Sequence, residues 1–84
     1  LKLFNPCGSA TWLITEYHEG EGRFFGLCDL GFGYPELGYV SLEEIESVDL
    51  PFGMKIERDM YWEPKGTLIE YYNKARAEGE ICNL

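Results

Sequence analysis

The pattern of apolar and polar residues predicts an antiparallel hairpin in the first half of the chain. Residues 10–18 and 23–30 are rich in β-branched and aromatic side chains, which suit a pleated, half-buried surface. The four residues between them, 19–22, supply two turn glycines. A turn at this point places His18 opposite Arg23.

Glycine and proline then divide the chain into further short elements. Residues 31–35, Gly-Phe-Gly-Tyr-Pro, predict a loop, and a short third strand follows at 36–40. Residues 1–4 are also strand-like. Strict alternation predicts another strand over 54–62, whose apolar face carries Met54, Ile56, Arg58, Met60 and Trp62.

Two helices are predicted from their capping sequences. Residues 41–44 and 67–70 each have the Ser/Thr-x-x-Glu spacing of a capping box, and helices are expected over 42–48 and 68–78. Gly79 is placed to cap the end of the second helix. The sequence therefore predicts an α+β fold, with a small antiparallel sheet of four to five strands and two short helices.

Length and cysteine content bound the class of protein. The 84 residues form one domain, 1–84, and the absence of Met at position 1 suggests that the natural protein has a further N-terminal segment. Cys7, Cys28 and Cys82 are odd in number and widely spaced, which favours reduced thiols in the cytoplasm. No stretch has the composition of a membrane span or of a signal peptide.

The net charge of -8 argues against direct nucleic-acid binding and against anionic membranes as partners. Four carboxylates fall close together in and just after the first predicted helix, at Glu43, Glu44, Glu46 and Asp49. A solvated helix face is the simpler interpretation. An acidic surface that mimics DNA is the alternative.

Catalytic and metal-binding patterns are not found in the sequence. His18 and Cys28 are the sole candidates for a thiol–imidazole dyad, but the hairpin register separates them by roughly 16 Å. One histidine and three scattered cysteines do not make a zinc site, and we predict neither metal nor cofactor. The Gly31-x-Gly33 sequence is not followed by the helix that a phosphate-binding turn requires.

Arg58 is the most informative charged residue, because alternation places it between Ile56 and Met60. A buried arginine requires a carboxylate partner, and we expect Asp29 or Glu36. A contact with a ligand anion is one alternative. An edge strand, from which the side chain extends to solvent, is the other.

Amphipathic aromatic side chains are frequent for a chain of this length, and such residues favour contact surfaces as well as cores. We select five candidate binding residues: Tyr34, Glu36, Tyr39, Arg58 and Trp62.

Several ordered blocks resemble an uncharacterised family of small bacterial proteins carried on plasmids, integrative elements and phages. These blocks are residues 2–6, 10–16, 25–31, 35–42, 51–53 and 56–59. The resemblance implies no catalytic residues. Because relatives often lie near antirestriction genes, it implies a role in protecting or regulating a mobile element.

We therefore expect a non-enzymatic accessory domain that binds a protein partner. One alternative is an acidic DNA mimic that inhibits a restriction or CRISPR system. The other is a small enzyme that uses Arg58 with Glu57, Asp59 or Glu36, in a cleft near the loop at 31–35.

Overall fold

The computed structural model describes residues 1–84, apart from the side chain of Glu19. Its strands are β1 (Lys2–Phe4), β2 (Thr11–His18), β3 (Arg23–Asp29), β4 (Glu36–Ser41) and β5 (Glu57–Arg58), and its helices are α1 (Leu42–Ser47) and α2 (Leu68–Glu78). The strands form one antiparallel sheet in the order β4-β3-β2-β1-β5. The predicted α+β class is confirmed.

The predicted hairpin is formed by β2 and β3, and His18 pairs with Arg23 as expected. The register shifts once along the hairpin, since Ile14 pairs with Gly26 whereas Glu16 pairs with Phe25. One extra residue in β2 is accommodated at this point as a β-bulge.

The two helices pack on opposite faces of the sheet. On the first face, Trp12 and Phe24 form a buried cluster with Ile45 of α1. On the second face, Leu13 packs with Tyr71 and Ala75, which both belong to α2. Successive residues of a strand point to opposite faces, so adjacent apolar residues in β2 serve two separate cores. The sheet is therefore the middle layer of three.

The two capping sequences form different numbers of their expected hydrogen bonds. In α2, Thr67 and Glu70 form both halves of a capping box, and Gly79 caps the other end with a φ of 78°. In α1, the Ser41 hydroxyl accepts from the Glu44 amide at 3.3 Å, which is only the first half of such a box. The helix ends at Ser47, one residue before the predicted end.

The predicted strand over 54–62 is wrong in extent, because only Glu57 and Arg58 pair with β1. The partner strand is itself short: β1 ends at Phe4, where a turn stabilised by the Asn5 side chain begins. Beyond the pairing, the chain turns at 59–62 and Met60 is exposed.

No helix of the described residues is both long and apolar enough to cross a membrane.

Candidate functional site

The loop between β3 and β4 presents three large apolar side chains to solvent. Leu30, Phe32 and Tyr34 are 54%, 78% and 80% exposed. Gly31 and Gly33, which alternate with them, have φ angles of 88° and 86°, values that favour glycine. We call Leu30, Phe32 and Tyr34 the loop surface.

Both ends of this loop are held by buried residues. At the start, Asp29 is buried and its Oδ1 accepts a hydrogen bond from the Gly31 amide at 2.8 Å. At the other end, Pro35 is buried and the next residue begins β4. The exposed side chains are therefore carried between two fixed points.

Two shallow cavities flank the loop surface. The first has a volume of about 230 Å³ and is lined by Cys28, Leu30, Phe32, Tyr34 and Glu36. The second, of about 440 Å³, is lined by Gly33, Tyr34, Pro35, Glu36, Tyr72 and Arg76. The predicted site residues Tyr34 and Glu36 thus lie together and take part in both cavities.

Cys28 lines the first cavity but is not arranged as a nucleophile. Burial is the largest cause that raises the pKa of its thiol above the ordinary 9.0. A hydrogen bond with Trp12 lowers this pKa, and the carboxylates of Asp29 and Glu36 raise it. In the sheet Cys28 pairs with Trp12, five positions along β3 from the partner of His18. The thiol therefore stays protonated at neutral pH and lies apart from the imidazole.

Tyr39 belongs to a second aromatic group, further along β4. Its ring centroid lies 5.2 Å from that of Phe25 and 5.5 Å from that of His18. The guanidinium of Arg23 lies 4.5 Å from the Tyr39 ring centroid, in cation–π geometry. Tyr39 remains exposed, so this group lies at the surface of the sheet.

Trp62 lies in a different part of the molecule. It is half-buried and its ring centroid is 5.7 Å from that of Tyr71, in the cluster beneath α2. Beside it is a largely apolar cavity of about 280 Å³, lined in part by Leu13, Leu68 and Tyr71. Trp62 is thus joined to the core of the second face and not to the loop surface.

The expected burial of Arg58 against a carboxylate is wrong. Arg58 is exposed on β5, and no carboxylate of the described side chains lies within 4.0 Å of it. Asp29, the first expected partner, instead accepts from the amides of Gly31 and Ile81. Arg58 pairs with Leu3 of β1. However, β5 is an edge strand, and α1 packs over β3 and β4 towards the opposite edge of the sheet, away from Arg58. The edge-strand alternative is the one observed.

Glu36, the second expected partner, lies at the other edge of the sheet. Four strand spacings separate β4 from β5, or roughly 19 Å. Arg58 and Glu36 therefore do not lie in one cleft. Glu36 is thus not placed to act with Arg58 in the small enzyme considered from the sequence. Asp59, a neighbour of Arg58, accepts a hydrogen bond from the Tyr61 amide at 3.0 Å.

The four predicted acidic residues are exposed but not equivalent. Asp49 lies 2.6 Å from the ammonium of Lys55, whose hydrogen bond and charge lower the pKa of the Asp49 carboxyl. Glu43, Glu44 and Glu46 make no ion pair with any described side chain. The unneutralised charge therefore lies on α1 itself.

Of the His, Cys, Asp and Glu side chains that the structure describes, no three are grouped closely enough to hold a metal ion.

The five residues selected from the sequence do not include Phe32, Tyr72 or Arg76, which also line this site. Phe32 lies between two glycines in a predicted loop, a setting in which a large apolar side chain has no neighbouring strand to pack against. That signal could have identified it. Tyr72 and Arg76 reach the loop only through the docking of α2, which no local pattern indicates.

These features define a small acidic α+β domain whose candidate site is an exposed apolar loop with flanking cavities. Residues 1–82 match the model of a family described as a protein of unknown function, DUF2958, and the chain belongs to this family. No curated protein and no solved structure matches the chain.

Proposed function

We propose that this domain is a non-enzymatic accessory protein of a mobile genetic element, acting in the cytoplasm, and that it binds a protein partner through the loop surface. The observation that carries the proposal is the exposure of Leu30, Phe32 and Tyr34 on one loop. Large aromatic side chains dominate the energetics of protein interfaces when a partner covers them.

The anchoring of the loop supports the same proposal. Because Asp29 and Pro35 are buried at its two ends, the loop loses less conformational freedom on binding than a free segment would. Glu36 and Arg76 add one charge of each sign beside the apolar side chains. Such an arrangement resembles an apolar interface centre with a polar rim.

The biological setting is supported by the sequence blocks that resemble proteins of plasmids, integrative elements and phages. The three cysteines form no disulfide among the described residues, which is compatible with the cytoplasm.

A capture experiment with matched variants tests the proposal. The tagged wild-type chain is used to capture partners from a bacterial lysate, and the partner is then purified and titrated calorimetrically. We expect the double variant Phe32→Ser/Tyr34→Ser to bind the partner at least about tenfold more weakly. Tyr61→Ser is the control, because Tyr61 is 94% exposed and follows β5, at the opposite edge of the sheet from β4. Equal affinity for all three proteins would overturn the assignment of the loop surface.

A second candidate function is inhibition of a DNA-binding protein by charge mimicry. It is favoured by Glu43, Glu44 and Glu46, which are exposed together on α1 without ion-pair partners among the described side chains. The triple Gln variant should then lose inhibition of a DNA-binding target, most strongly at low salt. Unchanged inhibition would exclude α1 as the mimic surface.

A further inference from the structure

The two edges of the sheet are protected to different degrees. Natural sheets shield an edge with short strands, charged side chains, proline or bulges. At one edge, β5 has two residues, Glu57 and Arg58, and both are charged and exposed. At the other edge, β4 has six residues and a single charge, Glu36, at its first position. By these criteria β4 is the unprotected edge.

The backbone register identifies the groups that β4 offers. The Leu42 amide donates to the Gly22 carbonyl at 2.9 Å, so Gly22 and Leu42 form a hydrogen-bonded pair. The next pair along the two strands, Arg23 with Ser41, is therefore not hydrogen-bonded. Hydrogen bonding alternates along an antiparallel pair. The N–H and C=O groups of Leu37 and Tyr39 therefore face outward, and no described strand pairs with them.

The surroundings of this edge differ between the two faces of the sheet. On one face lie Leu37 and Tyr39, the latter packed against Phe25. On the other face Glu36 stands at the start of β4, and α1 packs over β3 and β4 with its exposed carboxylates. A strand added beside β4 would thus place alternate side chains beside an aromatic surface and beside an acidic one.

We propose that β4 binds an extended segment of a protein partner in which apolar residues alternate with Lys or Arg. The inference rests on the proposed function, because it names the form in which the partner binds. Pro35 ends the loop and β4 begins directly after it, so a strand on this edge continues onto the loop surface. Main-chain hydrogen bonds supply affinity and alternate side chains supply specificity in this mode.

A second copy of the chain is a poorer occupant of the same edge. Each chain carries a net charge of -8, so pairing two copies through β4 would bring like charges together. A basic segment reduces that charge instead. Charge complementarity therefore selects the alternating basic peptide.

Amide hydrogen exchange of the wild-type chain provides the first test. The probe is a capped eight-residue peptide in which Lys and Val alternate, and its control has the same composition as a block of Lys followed by a block of Val. We expect the alternating peptide to slow exchange at the Leu37 and Tyr39 amides by about tenfold or more. The amides of Gly38 and Val40 already face β3 and should change little.

Binding of the alternating peptide without protection of Leu37 and Tyr39 would overturn the proposal, and so would equal protection by the block peptide. Protection that increases with protein concentration in the absence of peptide would assign the edge to a second copy, and this too would overturn it.

A pair of variants at one position separates the edge from the loop. Proline is tolerated in an edge strand where its missing N–H would face solvent, so Tyr39→Pro removes an outward donor, whereas Tyr39→Val keeps it. Both variants lack the Tyr39 ring and differ in the outward amide, so we expect Tyr39→Pro to bind the peptide at least about tenfold more weakly than Tyr39→Val. If Tyr39→Pro retains both the peptide and the captured partner while Phe32→Ser/Tyr34→Ser loses the partner, the edge proposal fails and the proposed function stands.

Discussion

The carboxylate of Asp29 accepts a hydrogen bond from the backbone amide of Ile81 at 3.0 Å, although 52 positions separate the two residues. The other carboxylate oxygen accepts from Gly31 at 2.8 Å. One buried side chain therefore joins the end of β3, the beginning of the loop and the segment that follows α2. This contact helps to hold α2, with Tyr72 and Arg76, beside the loop surface.

Replacing Asp29 by Ala should lower the free energy of unfolding by about 2 kcal/mol, because two amides lose their acceptor at a partly buried position. Asp29→Asn retains one acceptor oxygen, so we expect a smaller loss. Urea unfolding followed by circular dichroism measures both variants. Equal stability of the wild type and the Ala variant would contradict the structural role of Asp29.

Two glycines that pair across β3 and β4 should respond in opposite ways to the same substitution. A Cβ at Gly26 would overlap the carbonyl oxygen of Leu13, whereas a Cβ at Gly38 would meet no atom within 4 Å. Gly26→Ala should therefore cost on the order of 3 kcal/mol. Gly38→Ala should be neutral or stabilise slightly, because it restricts the unfolded chain.

Thermal unfolding of the two glycine variants is a direct comparison, since each changes a single hydrogen to a methyl group. Similar melting temperatures for both would show that the close approach of β2 and β3 at Gly26 is not maintained in solution.

The capping box of α2 should contribute more to stability than the single cap of α1. Thr67→Ala removes the acceptor for the Glu70 amide and should lower stability by about 1 kcal/mol, while Thr67→Ser keeps the hydroxyl and should be close to wild type. Ser41→Ala should cost less, because α1 has six residues and only half of a capping box. Chemical unfolding of the three variants gives the order, and a larger loss for Ser41→Ala would contradict it.

Burial of Cys28 predicts a loss of stability at alkaline pH. Because the folded state raises the pKa of this thiol, its contribution is fully present below the ordinary value of 9.0 and is lost as the pH rises through the folded-state pKa. Unfolding free energies measured between neutral pH and pH values above 9.0 should therefore fall more steeply for the wild type than for Cys28→Ala. Parallel curves would contradict the prediction.

The exposed thiol of Cys7 should also react with iodoacetamide before Cys28 does.

Elements governed by neighbouring residues could be predicted from the sequence. The bounds of α2, residues 68–78, follow from a capping box at its start and a glycine in the left-handed region at its end, and both signals are local. The pairing of His18 with Arg23 follows in the same way from the two glycines of the turn. In both cases the deciding contacts lie within a few residues of the chain.

The surroundings of Arg58 and the composition of the site depended on the tertiary structure. Alternation over 54–62 is a real property of the sequence, but it carries no information on whether a strand is central or at an edge, or on which part of a face a helix covers. The meeting of Tyr34 and Glu36 with Arg76 depends on the docking of α2 against the second face of the sheet. Burial is a property of all the elements packed around a residue, so a local pattern can place a side chain on a face but cannot determine what covers it.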